Sequence, residues 1–282
     1  MKLVRYTSNG ATRIGKVVDG GVVDLSGVTG PGASMKSVLE RWDSLRASLE
    51  RTKAPPIPLN SVRLEAPIDD PRKFLAIGMN YEKHAKEAEA AGIPRPAHQL
   101  WFNKQVSCIA GPFDPIELPK VSDKLDYEVE LAVVIGKRCR HVARDAARAT
   151  IAGYMVCNDV SVRDWQMRSP TWTLGKSFDT HGPIGPWLTT ADEIPDPQAL
   201  EMRLTVNGKE RQRQSTDDMI YDISDQIAYL STVMTLEPGD ILATGTPSGV
   251  GAASQRFLRA GDVVRAEISG LGHIENVVAP ER

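Results

Sequence analysis

Residues 125–136, LDYEVELAVVIG, constrain this fold more than any other stretch of the chain. Side chains of a strand alternate faces, so Tyr127, Val129, Leu131, Val133 and Ile135 share one fully apolar face. Glu128, Glu130, Ala132 and Val134 share the other, which begins as paired carboxylates and ends as core. Two like charges on one face repel, and burying them without a counter-charge is costly. Either water or a cation must therefore sit against Glu128 and Glu130.

Other short strand-like runs (KFLAIG, ALEMRLTVNG, DILATG, DVVRAEISG) are broken by Gly-Pro and Asn-Gly turns and outnumber the helices. The sequence predicts an α+β, β-rich fold. Its strands do not alternate with long helices, which argues against a doubly wound parallel sheet. With 282 residues the chain accommodates one large domain and one small one.

The small one is expected at residues 1–65. Short β-branched runs separated by Asn9-Gly10 and Asp19-Gly20-Gly21 read as a β-meander. Met35, Val38, Leu39, Trp42, Leu45 and Leu49 then fall at the spacing of a single amphipathic helix, with Ser34 as its N-cap. The proline-rich KAPPIPLNS reads as a linker, and residues 66–282 form the larger unit.

A net charge of −2 gives no electrostatic reason to expect nucleic acid or an acidic membrane surface. No run approaches the roughly 18 apolar residues of a membrane span, and MKLVRYTSNG is followed by no apolar signal segment, so a cytoplasmic location is expected. Cys108, Cys139 and Cys157 lie far apart without C-x-x-C spacing and read as small buried hydrophobes.

Chemistry-bearing residues concentrate in five segments. In GYMVCNDVSVRDWQ a helix starting at Asp159 would place Asp159, Arg163 and Gln166 on one face. Three carboxylates, Glu128, Glu130 and Asp159, with no His or Cys partner make an all-oxygen set suited to Mg²⁺, Mn²⁺ or Ca²⁺ rather than Zn²⁺. The competing reading is an edge strand with solvated glutamates and an N-capping aspartate. In IGMNYEKHAKE, His84 and Glu87 stand at i, i+3, where a carboxylate can orient an imidazole as a general base. That helix has little apolar stripe and is expected to be marginal, ordering like a lid when substrate binds. An exposed helix with incidental charges is the alternative.

GDILATGTPSGVG lacks the Gly-Lys-Ser/Thr of a phosphate loop, but its N–H groups could cradle a carboxylate, with Thr246 adding a hydroxyl. A tight turn needing positive φ explains its glycines equally well. Lys176 stands in the Gly/Pro-punctuated GKSFDTHGPIGPW, where His181 reads as structural or exposed.

Taken together, IGMNYEKHAKE, DYEVELAVVIG, GYMVCNDVSVRDWQ, GKSFDTHGPIGPW and GDILATGTPSGVG resemble the fumarylacetoacetate hydrolase family over roughly residues 66–282. The resemblance implies a mixed β-roll catalytic domain, usually in a homodimer, with Mg²⁺ or Mn²⁺ held by Glu128, Glu130 and Asp159. It implies that His84 and Glu87 activate water, that Lys176 stabilises an oxyanion, and that Arg163, Gln166 and Thr246 contact substrate. The activity it implies is hydrolysis of 2,4-dioxo acids (acylpyruvates) in aromatic or sugar-acid catabolism. Oxaloacetate-type decarboxylation and 2-hydroxymuconate-type diene isomerisation use the same metal chemistry, and a catalytically inert Ca²⁺-binding β domain is the non-enzymatic alternative.

Overall fold

The computed structural model describes residues 1–90 and 92–282. The strand Val129–Ile135 runs through the middle of a sheet that counts twelve strands among the described residues. It pairs antiparallel with Ile151–Asn158 on one side and with Ile241–Ala243 on the other. Beyond the latter come Phe74–Gly78, in parallel, and Leu100–Lys104. A second sheet of five strands, Lys209–Ser215, Glu201–Val206, Val263–Ile268, Gly272–Pro280 and Ile116–Leu118, covers one face.

The two faces of Val129–Ile135 serve different cores, as the alternation requires. Val129, Leu131, Val133 and Ile135 pack in one cluster with Met202, Leu204, Val264 and Ala266 of the second sheet. Ala132 and Val134 pack in another with Met35, Val38, Leu39 and Leu49 of the N-terminal helices. The strand is buried along its whole length, Glu130 included. The solvated-edge reading of its glutamates is thereby excluded.

The sheet also crosses the linker. Lys2–Ser8 pairs antiparallel with Gly182–Thr190, Lys2 opposite Thr189 and Leu3 opposite Leu188. Residues 1–65 and the rest of the chain thus share one sheet and one core cluster.

The single helix expected after the meander is two, Met35–Glu40 and Trp42–Arg51. Ser34 caps the first through Ser37 N at 3.2 Å. Arg41 ends it at φ −107°, ψ 16°, and its guanidinium donates to Thr29 O at 2.9 Å. The second helix turns Leu49 into the core.

His181 is fully buried, and its Nε2–H donates to Glu117 O at 2.8 Å. Burial pushes its pKa down to about 4 from 6.5, so the folded protein keeps it neutral while the unfolded chain protonates it. Below 6.5 the unfolded state binds the extra proton, so stability falls as pH drops, and the loss, roughly 3 kcal/mol, is complete below about 4. His181→Gln, which keeps a donor, should make Tm fall less between pH 7 and pH 5 than in the parent. An unchanged acid limb would refute this.

Candidate active site

Glu128 and Glu130 emerge at the N-terminal end of the central strand, where the sheet opens into a cavity of about 340 Å³. His84, Glu87, Glu128, Glu130, Arg163, Gln166, Lys176 and Thr246 all line it. Asp159 reaches the same cluster from behind, and carboxylate oxygens of Glu128, Glu130 and Asp159 lie within 4.8 Å of one another. All three residues are buried.

The helix expected from Asp159 is absent in that form. Asp159 precedes a two-residue strand, Ser161–Val162, that pairs with Leu125–Asp126, and the helix is confined to Arg163–Gln166. Asp159 N donates to Glu128 O at 2.8 Å, which locks the two carboxylate-bearing segments together. Convergence thus comes from strand pairing rather than from one helical face.

Ion pairs hold the cluster. The Lys176 ammonium lies 2.7 Å from Glu128 Oε2 and 2.7 Å from Asp159 Oδ2. Arg163 pairs with Asp126 at 2.8 Å and approaches Glu128 Oε1 at 2.7 Å, while its Nη1 donates to Gln166 Oε1 at 3.0 Å. Burial opposes ionisation of Glu128, but Lys176 and Arg163 outweigh it and hold its pKa down to about 2.

Lys104 is an unforeseen member. It is 2% exposed, and its ammonium reaches Asp159 Oδ1 at 2.7 Å and the carbonyls of Val160 and Lys176. The signal in sequence was faint: strand alternation in Leu100–Lys104 puts Lys104 on the same face as Leu100 and Phe102.

These contacts test whether a cation fits. Four carboxylates, Asp126, Glu128, Glu130 and Asp159, meet three cations, Lys104, Arg163 and Lys176, so one carboxylate is left without a cationic partner. Among the described residues Glu130 is the member without an ion pair; its Oε2 accepts only Gly245 N, at 2.8 Å. Burial, with Asp159 and Glu128 alongside, pushes Glu130 well above the usual carboxylate range. A hard divalent ion ligated by Glu128, Glu130 and Asp159 would relieve that strain, so the donor set fits one.

The glycine-rich loop takes the tight-turn geometry, and the carboxylates its N–H groups hold are the protein's own, while the Thr246 hydroxyl is engaged elsewhere. Gly245 and Gly249 adopt φ of +100°. Its N–H groups cradle carboxylates of the protein itself: Gly245 holds Glu130, Gly249 holds Glu87 Oε1 at 3.2 Å, and Gly251 and Ala252 hold Asp126 at 2.7 and 2.8 Å. Thr246 Oγ1 donates to Val129 O at 2.9 Å and accepts from Gln212 at 2.9 Å.

On the opposite wall His84 and Glu87 are carried by the helix Glu82–Ala90. Arg95 clamps Glu82 with two bonds of 3.0 Å, Lys83 N donates to Asp218, and Asn80 ties the preceding turn to Tyr221. His84 Nδ1–H donates to Glu87 Oε2 at 3.0 Å, which leaves Nε2 free to take a proton.

The fold is strand-rich, and an imidazole–carboxylate pair faces a buried acidic cluster whose donor set suits a hard cation. The chain belongs to the fumarylacetoacetate hydrolase family: the model of the fumarylacetoacetate (FAA) hydrolase C-terminal domain matches residues 73–279. A Burkholderia lata protein with a general hydrolase designation is 46% identical over 279 residues, 96% of each chain. Maleylpyruvate hydrolase from Sphingobium sp. SYK-6, solved with manganese(II) and pyruvate, is 36% identical with a TM-score of 0.86 over 100% of both chains. A 5-carboxymethyl-2-hydroxymuconate delta-isomerase from Mycobacterium smegmatis is 34% identical with a TM-score of 0.81, also over 100% of both chains.

Proposed function

We propose that this protein hydrolyses the C–C bond of 2,4-dioxo acids, releasing pyruvate and a carboxylic acid. The observation that carries this is the His84–Glu87 pair facing the acidic triad across one cavity. An Mg²⁺ or Mn²⁺ ion held by Glu128, Glu130 and Asp159 would supply a Lewis acid for the 2-oxo acid end of the substrate. The rest falls to side chains. Glu87 fixes the imidazole, and His84 Nε2 takes a proton from water. Hydroxide adds to C4, and the C3–C4 bond breaks with its electron pair passing to C3 and into the 2-oxo group. Protonation of C3 gives pyruvate, so one water is consumed overall. Lys176 spends two of its three N–H donors on Glu128 and Asp159, and the third is available to the oxyanion at C4. Arg163, Gln166 and Thr246 would orient the substrate, and a cytoplasmic homodimer is the form in which we expect it to work.

The similarity to an isomerase supports a second reading, diene isomerisation at the same triad. The reactions separate by product. With Mn²⁺ or Mg²⁺, the ultraviolet absorbance of an acylpyruvate enol should decay with equimolar pyruvate release, and EDTA should stop it. The same ions at a hundred times their Kd should stabilise the fold by about 2.7 kcal/mol, seen as a higher Tm. An unchanged Tm with both ions would remove the metal assignment, and decay of a diene without pyruvate would favour isomerisation.

A further inference from the structure

Exposure gives the cavity a direction. Glu128 and Glu130, at 5% and 1% exposure, form its floor, and Ile93 and Met167, at 49% and 71%, form its mouth. Between them the wall is Trp172, Val250, Ala252 and Ala253. Trp172 is fixed there by Phe102, with ring centroids 5.5 Å apart, and by Gly78, where a Cβ would come within 2.6 Å of the indole.

The cationic side chains do not reach this outer half. Arg163 and Lys176 are the lysine and arginine side chains among the described residues lining the cavity, and both are committed to carboxylates at the floor. The nearest cations in sequence are turned elsewhere. Arg95 is engaged by Glu82 and Glu89, and Arg168 stacks on Trp165 at 3.7 Å beside Asp164. Arg256, three residues beyond Ala253, does not line the cavity. Glu87, on the wall, adds a negative charge.

From this distribution, and resting on the function proposed above, we infer that the acyl group of the substrate is uncharged and apolar, an alkyl or aryl chain, and not one that ends in a carboxylate. A distal carboxylate lodged along the wall would lose water against Trp172 and Val250 with no counter-charge to replace it. An alkyl chain would gain about fourfold in kcat/KM for each methylene it buries there. The maleylpyruvate handled by the Sphingobium relative would therefore be a poor substrate here.

The test compares 2,4-dioxo acids with propanoyl, pentanoyl and benzoyl acyl groups against maleylpyruvate and a succinyl analogue, all with Mn²⁺. In parallel, calorimetry compares 2-oxohexanoate with 2-oxoadipate, which differ only at the far end. The inference holds if kcat/KM rises along the neutral series and lies about a hundredfold above the carboxylate-ended substrates. Metal-dependent preference for the carboxylate-ended substrates overturns it while leaving the C–C hydrolase reading intact. If no 2,4-dioxo acid is cleaved, that reading fails, and the binding pair decides alone: tighter 2-oxohexanoate supports the apolar mouth, and equal or tighter 2-oxoadipate overturns it. Met167→Arg should narrow the gap at least tenfold in favour of the carboxylate-ended partner, and no change would count against the mouth assignment.

Discussion

His84→Ala should lower kcat for acylpyruvate cleavage roughly 10²- to 10⁴-fold while leaving the Mn²⁺-dependent rise in Tm intact. The first half follows from the geometry of the helix Glu82–Ala90. Gly249 N holds one oxygen of Glu87 at 3.2 Å and so aims the other at His84 Nδ1, 3.0 Å away, which fixes the tautomer whose Nε2 accepts a proton. Alanine removes that acceptor, and no other imidazole lines the cavity among the described residues. The second half follows from separation of tasks, because His84 is not one of the three carboxylates that would hold the ion. Stopped assays of pyruvate release and thermal melts with and without Mn²⁺ measure both. A loss under tenfold would sink the general-base assignment. A variant that loses both activity and the metal response would mean instead that His84 supports the fold of the site.

How much of this could be read from the chain depends on whether the determinant was local. Alternation in LDYEVELAVVIG is a local property, and it correctly separates the face packed on the second sheet from the face that carries Glu128 and Glu130. The i, i+3 spacing of His84 and Glu87 is local too, and their hydrogen bond forms as the spacing requires. What was illegible depends on partners far along the chain. The break at Arg41 falls where its guanidinium meets Thr29 O, and Ser161–Val162 becomes a strand only because Leu125–Asp126 lies beside it. The fusion of residues 1–65 with the main sheet rests on Lys2–Ser8 meeting Gly182–Thr190, nearly 190 residues away at its ends, and no local pattern encodes that. Asp126 was passed over for the same reason: its role as acceptor for Gly251, Ala252 and Arg163 exists only once three segments meet.

Lys104→Met should destabilise the metal-free protein by about 3–5 kcal/mol, the cost of breaking a buried ion pair. The Lys104 ammonium is wholly buried, and Asp159 more than offsets the cost of burial, holding its pKa above the usual lysine value. Methionine fills much the same volume, so the loss is electrostatic rather than a cavity. Asp159 Oδ1 would lose its partner inside the protein, as would the carbonyls of Val160 and Lys176 that share the same ammonium. The backbone of Lys176 is one of those partners, so the variant should also displace the lysine assigned to the oxyanion and lower kcat. Two measurements separate these consequences. Urea unfolding of Lys104→Met, Asp159→Asn and the double variant gives the coupling between the pair, expected at more than 1 kcal/mol because the neutral amide no longer strands a charge. Saturating Mn²⁺ should recover part of the stability of Lys104→Met, since an ion on Asp159 supplies the missing positive charge, but should recover none in the double variant. A loss under about 1 kcal/mol for Lys104→Met would mean that water reaches Asp159 readily and that the cluster is far wetter than its burial indicates.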